Sequence, residues 1–271
     1  MARKSLAKLA SLIQYDGLKF HGLQRQKDEI SVQQNLEEAL ETIFKEPVTI
    51  FAAGRTDTGV HARGMLVSYS APSDIYNFYS FHRSVNALTD KGMSMLASKY
   101  MPEDFHAQFA CTEREYEYHF LNTPQPYPLL ENRAYFCRRR VDIQRLQEEI
   151  TLLKGTFDFT GISKKASLQY KSSTIREIKE IELKEVPPYA GYYLIRIRGN
   201  SFLHNMIRIL VGTLFDICSG KMGNQTIVDV IKKKDRTLAG KTLPPEGLYF
   251  CHAYYEKFPE IEELYREVSI P

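Results

Sequence analysis

The apolar pattern of this chain alternates between a period of two and a period of 3.6, and it does so in both halves. Residues 7–15, "AKLASLIQY", read as a strand that runs into a turn at Asp16-Gly17. A helix follows in "SVQQNLEEALETIFK". Ser31 and Gln34 form a capping-box pattern there, and Val32, Leu36, Leu40, Ile43 and Phe44 recur at helical spacing. "EPVTIFAAG" is a strand broken at Gly54, and "GMLVSYSA" at 64–71 is another. The second half repeats this grammar. "TEREYEYHFLN" at 112–122 is a strand, "DIQRLQEEITLLKG" at 142–155 an amphipathic helix ending at Gly155, and "TIREIKEIELKEV" and "YYLIRIRGN" two more strands. A largely apolar helix at 201–220, a shorter helix in "NQTIVDVIKKKD" and a closing strand in "GLYFCHAYY" complete it. The pattern predicts an α+β protein of two subdomains, 1–109 and 110–271, sharing an extended, mostly antiparallel sheet.

A loop between two of these strands concentrates unusual chemistry. In "FAAGRTDTGVHARG", residues 51–64, Asp57 has a threonine on each side, with Arg55 close by and glycines at 54 and 59. Asp and Thr side chains cap turns and Gly supplies positive φ, so a well-made turn is one reading. A carboxylate held in a fixed pose at the mouth of a cleft is the other, because strands give such a loop a rigid support.

Arg208 is the second anomaly, flanked by Ile207, Ile209 and Leu210 in the apolar helix. An unpaired guanidinium is costly to bury. It either snorkels to the surface or meets a carboxylate from elsewhere, and Asp57 needs such a partner to stay ionised in a dry cleft. The strand "REYEYHF" places Arg114, Tyr116 and Tyr118 on one face and Glu115, Glu117 and His119 on the other. The first face is either a platform for stacking bases or an aromatic core stripe.

Composition narrows the classes. Hydrophobic residues are 43% and charged residues 25%, as in an ordinary globular protein. A net charge of +3 permits a polyanionic partner without requiring one. Basic runs at 138–140, 164–165 and 232–236 are solvated surface or, together, a lining for a phosphate backbone. Cys111, Cys137, Cys218 and Cys251 are too far apart in sequence for a C-x-x-C pair and read as buried reduced thiols of a cytoplasmic protein. No metal site, cofactor loop or nucleophile elbow motif is present in the sequence. The N-terminal stretch lacks a continuous apolar core, so no signal peptide is expected. "MIRILVGTLFDIC" is too short to cross a bilayer.

Taken in order, these segments resemble the TruA family of tRNA pseudouridine synthases, from about Leu12 to Tyr255. "YDGLKFHGLQRQ" at 15–26 and "SVQQNLEEAL" come first, then "AGRTDTGVHA" at 53–62, which is similar to the family's catalytic signature. "PEDFHAQF" at 102–109, "REYEYHF", "GNSFLHNMIRILVGTL" at 199–214 and "KKKDRTLAGKTLPPEGLYF" at 232–250 follow in the expected order. Leu23 stands where the family usually carries Trp, and "NALTDKGMSML" at 86–96 departs from a Leu-Pro turn usual there.

The resemblance implies the pseudouridine synthase fold: two RRM-like subdomains and a central catalytic cleft. It implies isomerisation of uridine to pseudouridine at positions 38, 39 and 40 of the tRNA anticodon stem-loop. It implies that Asp57 is catalytic and Arg208 its partner, that Tyr116 stacks on the flipped uracil, and that Arg55 fills the gap the base leaves. No metal or cofactor is implied; the expected partners are tRNA and a second copy of the chain in a homodimer. Asp57 could attack the sugar, attack the base or abstract a sugar proton, and the sequence does not choose. Two rival readings are a catalytically inactive RNA-binding module of the same fold and a carboxylate-metal nuclease. The intact Arg55, Asp57, Tyr116 and Arg208 speak against the first, and the single carboxylate in the Asp57 loop against the second.

Overall fold

A computed structural model describes residues 5–164 and 173–268 of the chain. It is an α+β protein whose strands make a large, mostly antiparallel sheet, the class expected from the sequence. The chain forms two compact units, Met1–Arg114 with Phe250–Pro271, and Glu115–Tyr249.

In the first unit, β1 (Leu6–Tyr15) lies between β3 (His61–Pro72) and β4 (Met93–Met101), antiparallel to both, and β10 (Leu248–Tyr254) follows β3. The two-residue β2 (Phe51–Ala52) pairs with β3. The expected strand at 46–54 is thus almost all extended loop. Helix α1 (Val32–Phe44) starts at Ser31, whose side chain accepts from Gln34 N. The capping box is half made, because the Gln34 amide turns instead to Glu38. Val32, Leu36, Ala39 and Leu40 are the face it buries. Helix α2 (Phe78–Leu88) stacks Phe81 on Phe44 of α1 and lies against β4.

The C-terminal segment, assigned from sequence to the second half, packs in the first unit. Helix α6 (Ile261–Val268) buries Ile261, Leu264 and Tyr265. The Tyr265 hydroxyl accepts from Ala253 N and donates to Gly64 O, each at 3.0 Å. Those bonds, the pairing of β10 with β3 and the apolar stripe together hold residues 250–268 there.

In the second unit the strand order is β5 (Glu113–Leu121), β9 (Tyr192–Gly199), β8 (Ile175–Glu185), β7 (Gly155–Asp158), with the short β6 (Tyr135–Phe136) parallel to β5. Helix α3 (Ile143–Thr151) stops four residues before Gly155, which opens β7 at φ +125°. Helix α4 (Met206–Cys218) begins only after Asn205, which sits in the left-handed region at φ +60°. Residues 201–205 are therefore a loop, not the expected first turns of the helix. Helix α5 (Ile227–Lys232) is short and has a complete capping box at Thr226 and Asp229.

The strap Gly240–Leu243 lies directly on α4. A Cβ on Gly212 would meet the Lys241 carbonyl oxygen at 2.0 Å, and one on Gly240 would meet Gly212 O at 2.6 Å. Gly240 N donates to the buried Thr213 hydroxyl at 2.9 Å, which closes the contact. All four cysteines are buried and none is in a disulfide. Among the described residues, no helix is long and apolar enough to cross a membrane.

Candidate active site

Asp57 lies half-buried in the loop between β2 and β3, two strands that pair with each other. Val60 N donates to Asp57 O at 3.1 Å and Gly59 takes φ +81°, so residues 57–60 form a closed turn. The rest of the loop is gripped by the segment after β1. Gly59 N donates to Gly17 O at 3.2 Å, and Leu23 N to Thr56 O at 3.1 Å. The buried Thr56 hydroxyl meets Tyr15 Oη at 2.7 Å. Gly17 is there because nothing larger fits: its Cβ would sit 2.1 Å from Val60 O. Gly22 sits at φ +86°, and a Cβ there would lie 2.9 Å from Thr56 O. His61, 3% exposed, accepts from Gly17 N through Nδ1, and Asp16 Oδ1 lies 3.2 Å from that nitrogen. On the other side, Ala53 N donates to Leu66 O, and Ala53 O accepts from the Arg114 Nε.

Two stretches far apart in sequence, "YDGLKFHGL" and "AGRTDTGVHA", are thus one piece of structure. The clamp fixes the backbone on both sides of Asp57, while Arg55 and Thr58 are exposed. Residue-by-residue reading missed Tyr15, Gly17 and His61 as its supports. Leu23, the departure from Trp, is 5% exposed and belongs to the clamp through its backbone. The alternating glycines at 17, 22 and 59 were the signal that could have found it.

In the second unit, Arg208 is held rather than loose. Its Nε donates to Leu243 O at 2.7 Å and its Nη1 to Asn205 Oδ1 at 2.9 Å, while Leu243 N donates back to Arg208 O. The strap on α4 and the left-handed turn at Asn205 together aim the guanidinium. Simple snorkelling at a helix end does not describe it.

Of the face Arg114, Tyr116 and Tyr118, all three are engaged in the fold, and Tyr116 is only 7% exposed. Tyr118 is fully buried, its hydroxyl donates to Pro244 O, and burial pushes its pKa well up. Arg114 is spent on the carbonyls of Ala53, Cys111 and Gln108. The Tyr116 ring meets Phe202 edge to face, with centroids 5.2 Å apart. Phe202, in the loop before α4, was not singled out in the sequence. On the opposite face, Glu117 and His119 are buried in a bonded row. Arg196 donates to Glu117 Oε1, Glu117 Oε2 meets His119 Nε2 at 3.0 Å, and His119 Nδ1 meets Tyr192 Oη at 2.7 Å. Among the described residues, no group of three or more His, Cys, Asp or Glu is placed to hold a metal ion.

A family model described as tRNA pseudouridine synthase matches residues 150–256. A protein named tRNA pseudouridine synthase A from Leptospira biflexa serovar Patoc is 43% identical, over 95% of this chain and 97% of its own. Proteins of the same name from Oceanobacillus iheyensis and Klebsiella pneumoniae subsp. pneumoniae are each 34% identical, over 93% and 94% of this chain and 98% and 92% of theirs. Among solved structures, a Cbf5-Nop10-Gar1 complex aligns at TM-score 0.36 and 10% identity, covering 98% of this chain and 68% of that one, a likeness too loose to bear on the argument. Relatives of this identity, matched from end to end, leave one placement: the chain belongs to the tRNA pseudouridine synthase A family.

Proposed function

We propose that the protein isomerises uridine to pseudouridine in tRNA, at positions 38, 39 and 40 of the anticodon stem-loop, acting as a cytoplasmic homodimer. One observation supports this above the rest: the turn carrying Asp57 is clamped by backbone bonds and glycine contacts on both flanks while Asp57 itself stays half-buried. A turn that served only to connect two strands would need no such clamp.

The reaction breaks the N1–C1′ bond of uridine and joins C5 to C1′. C5 loses a proton and N1 gains one, so nothing is oxidised or reduced. Asp57 supplies the carboxylate, whether it attacks the sugar, attacks the base or takes a sugar proton. Arg208 pairs with that carboxylate and keeps it charged and aimed. Tyr116, stiffened by Phe202, stacks on the flipped uracil, and Arg55, exposed beside Asp57, occupies the space the base vacates. Two copies of the chain double the basic surface offered to one tRNA, which suits a protein of net charge +3.

Loss of the C5 hydrogen gives the test. With tRNA carrying tritium at C5 of uridine, the wild-type protein should release tritium as pseudouridine forms. Stem-loops with a single uridine at 38, 39 or 40 should all serve as substrates. Binding of tRNA without release would instead favour the inactive RNA-binding module.

A further inference from the structure

The three basic runs differ in what their charges do. In 232–236, Lys234 pairs with Asp158 at 2.7 Å, Lys233 bonds Gln225, and Arg236 holds the turn 239–242 through Ala239 O, Gly240 O and Thr242 Oγ1. Of 164–165, Lys164 is engaged within the fold and Lys165 lies outside the described residues. Arg138, Arg139 and Arg140 are different. All three are exposed, and among the described residues none of their guanidiniums makes a hydrogen bond or ion pair.

These arginines follow β6 and run into the start of α3. Arg138 and Arg139 line a cavity of about 250 Å³ together with Lys221, Lys241 and Tyr135. Arg140 lines the neighbouring cavity, and Val141 and Ser219 border both, so the surface is continuous. Two acidic groups lie on it against five basic ones, so the patch stays positive. Asp216 is paired with Lys221 at 2.7 Å, and Asp142 accepts from Arg145 N as the cap of α3. Lys241 rests on Tyr135, its Nζ 2.9 Å from the hydroxyl. Cys137, in the cavity wall, adds no negative charge, since burial pushes its thiol up to about 12.

Unpaired like charges on adjacent residues repel, and a folded protein gains nothing from them unless an anion comes. We propose that this patch is a docking surface for the phosphate backbone of an RNA, with each of the three arginines contacting a phosphate. The inference rests on the reading of the protein as acting on tRNA, and it assigns the surface where the second unit grips that substrate away from the reacting base. The forked guanidinium suits phosphate better than an ammonium does. Contacts to phosphate fix the position of an RNA and carry no sequence information of their own.

The test is equilibrium binding of tRNA by the full chain across a series of salt concentrations. Each phosphate contact removed should lower the slope of log K against log salt by about 0.7–0.9. The triple variant Arg138→Gln, Arg139→Gln, Arg140→Gln should therefore lose about 2–3 from the slope, and its Kd near physiological salt should rise about tenfold to a hundredfold. Arg138→Lys, Arg139→Lys, Arg140→Lys should keep most of the slope. Neutralising three exposed lysines elsewhere, Lys45→Gln, Lys91→Gln and Lys154→Gln, makes the same change in net charge and should leave Kd within about twofold. A glutamine triple variant with wild-type Kd and slope, or a lysine-to-glutamine control that weakens binding equally, overturns the proposal. The two readings fail separately. Binding through these arginines without tritium release sinks the catalytic reading alone, and tritium release by a chain whose triple variant binds normally sinks this one alone.

Discussion

Asp57 and Arg208 are held in opposite ways. Around Asp57 the protein fixes a loop, and the fixing groups are almost all backbone: Gly17 O, Thr56 O, Gly59 N and Leu23 N. Around Arg208 it fixes a helix, and then holds the side chain itself through Leu243 O and Asn205 Oδ1. A short carboxylate needs only its Cα placed, because two rotatable bonds carry it to its position. A long guanidinium on a well-placed Cα still sweeps a wide arc, so its own nitrogens must be tied. Close glycine contacts serve both ends. Gly17 lets the β1 turn reach Val60, and Gly212 lets the strap reach α4.

The comparison breaks most visibly at Asp57. Asp57→Asn keeps the shape and the backbone clamp but removes the charge. Tritium release should fall to the assay background, below a few per cent of wild type, while tRNA binding stays close to wild type, since affinity comes mainly from phosphate contacts. Substantial turnover by the purified variant would remove Asp57 from the chemistry.

Arg208 comes next. If Arg208 is the partner of Asp57 as proposed, Arg208→Met should lower turnover at neutral pH strongly, by about a hundredfold. Arg208→Lys keeps the charge without the fork that spans Leu243 O and Asn205 Oδ1, and should lie between the two. The double variant Asp57→Asn, Arg208→Met should be no slower than Asp57→Asn alone, because residues that act as one unit are not additive. Wild-type turnover by Arg208→Met would leave Arg208 a structural residue of the α4 strap.

Adding one methyl group at each glycine tests the two supports directly. Gly17→Ala and Gly212→Ala both drive a Cβ to about 2 Å from a backbone oxygen. Each should destabilise the fold by about 3 kcal/mol, read as a lowered urea midpoint. Their effects on turnover should differ. Gly17→Ala displaces the loop that carries Asp57 and should slow kcat in the protein that remains folded. Gly212→Ala shifts the strap that carries Leu243, and its loss of activity should resemble that of Arg208→Lys. Unchanged melting in both would mean that neither contact is as close as described.

Much of this was legible in the sequence, and the parts that were not share a cause. Strands and helices with strong periodicity were visible: β1, α1, β5, β8, β9 and most of α4. Helix α2 was missed although Phe78, Phe81, Val85 and Leu88 recur at helical spacing, because aromatic and polar residues crowd the same short stretch. Strand β4, "MSMLASKYM", carries Met and Ala where Val or Ile would have signalled a strand. The α4 boundary was misjudged because Phe202 and Leu203 continue the apolar run, while the left-handed Asn205 that delays the helix looks like any polar residue. Asp57 and Arg208 stood out as chemical oddities. What supports them did not, since Tyr15, Gly17 and Leu243 act across 35 or more residues, Gly17 and Leu243 through backbone atoms, and Asn205 through a left-handed turn that no residue type announces.

The smallest expected effect concerns the one side-chain bond given above between the loop and β1. Tyr15 Oη and Thr56 Oγ1 meet at 2.7 Å, with Tyr15 3% and Thr56 7% exposed. Tyr15→Phe removes one partner and leaves a buried threonine hydroxyl without that bond, at about 1 kcal/mol. Thr56→Val removes the other and should lose about the same. Together the two should lose little more than either alone, because replacing both partners leaves no orphaned hydroxyl. If the backbone clamp is what places Asp57, as the comparison with Arg208 requires, these variants should lower the urea midpoint slightly and change kcat less than about threefold. A tenfold loss of kcat with unchanged stability would mean that the hydroxyl pair, not the glycine and backbone contacts, sets the carboxylate, and that Asp57 and Arg208 are both held through side chains.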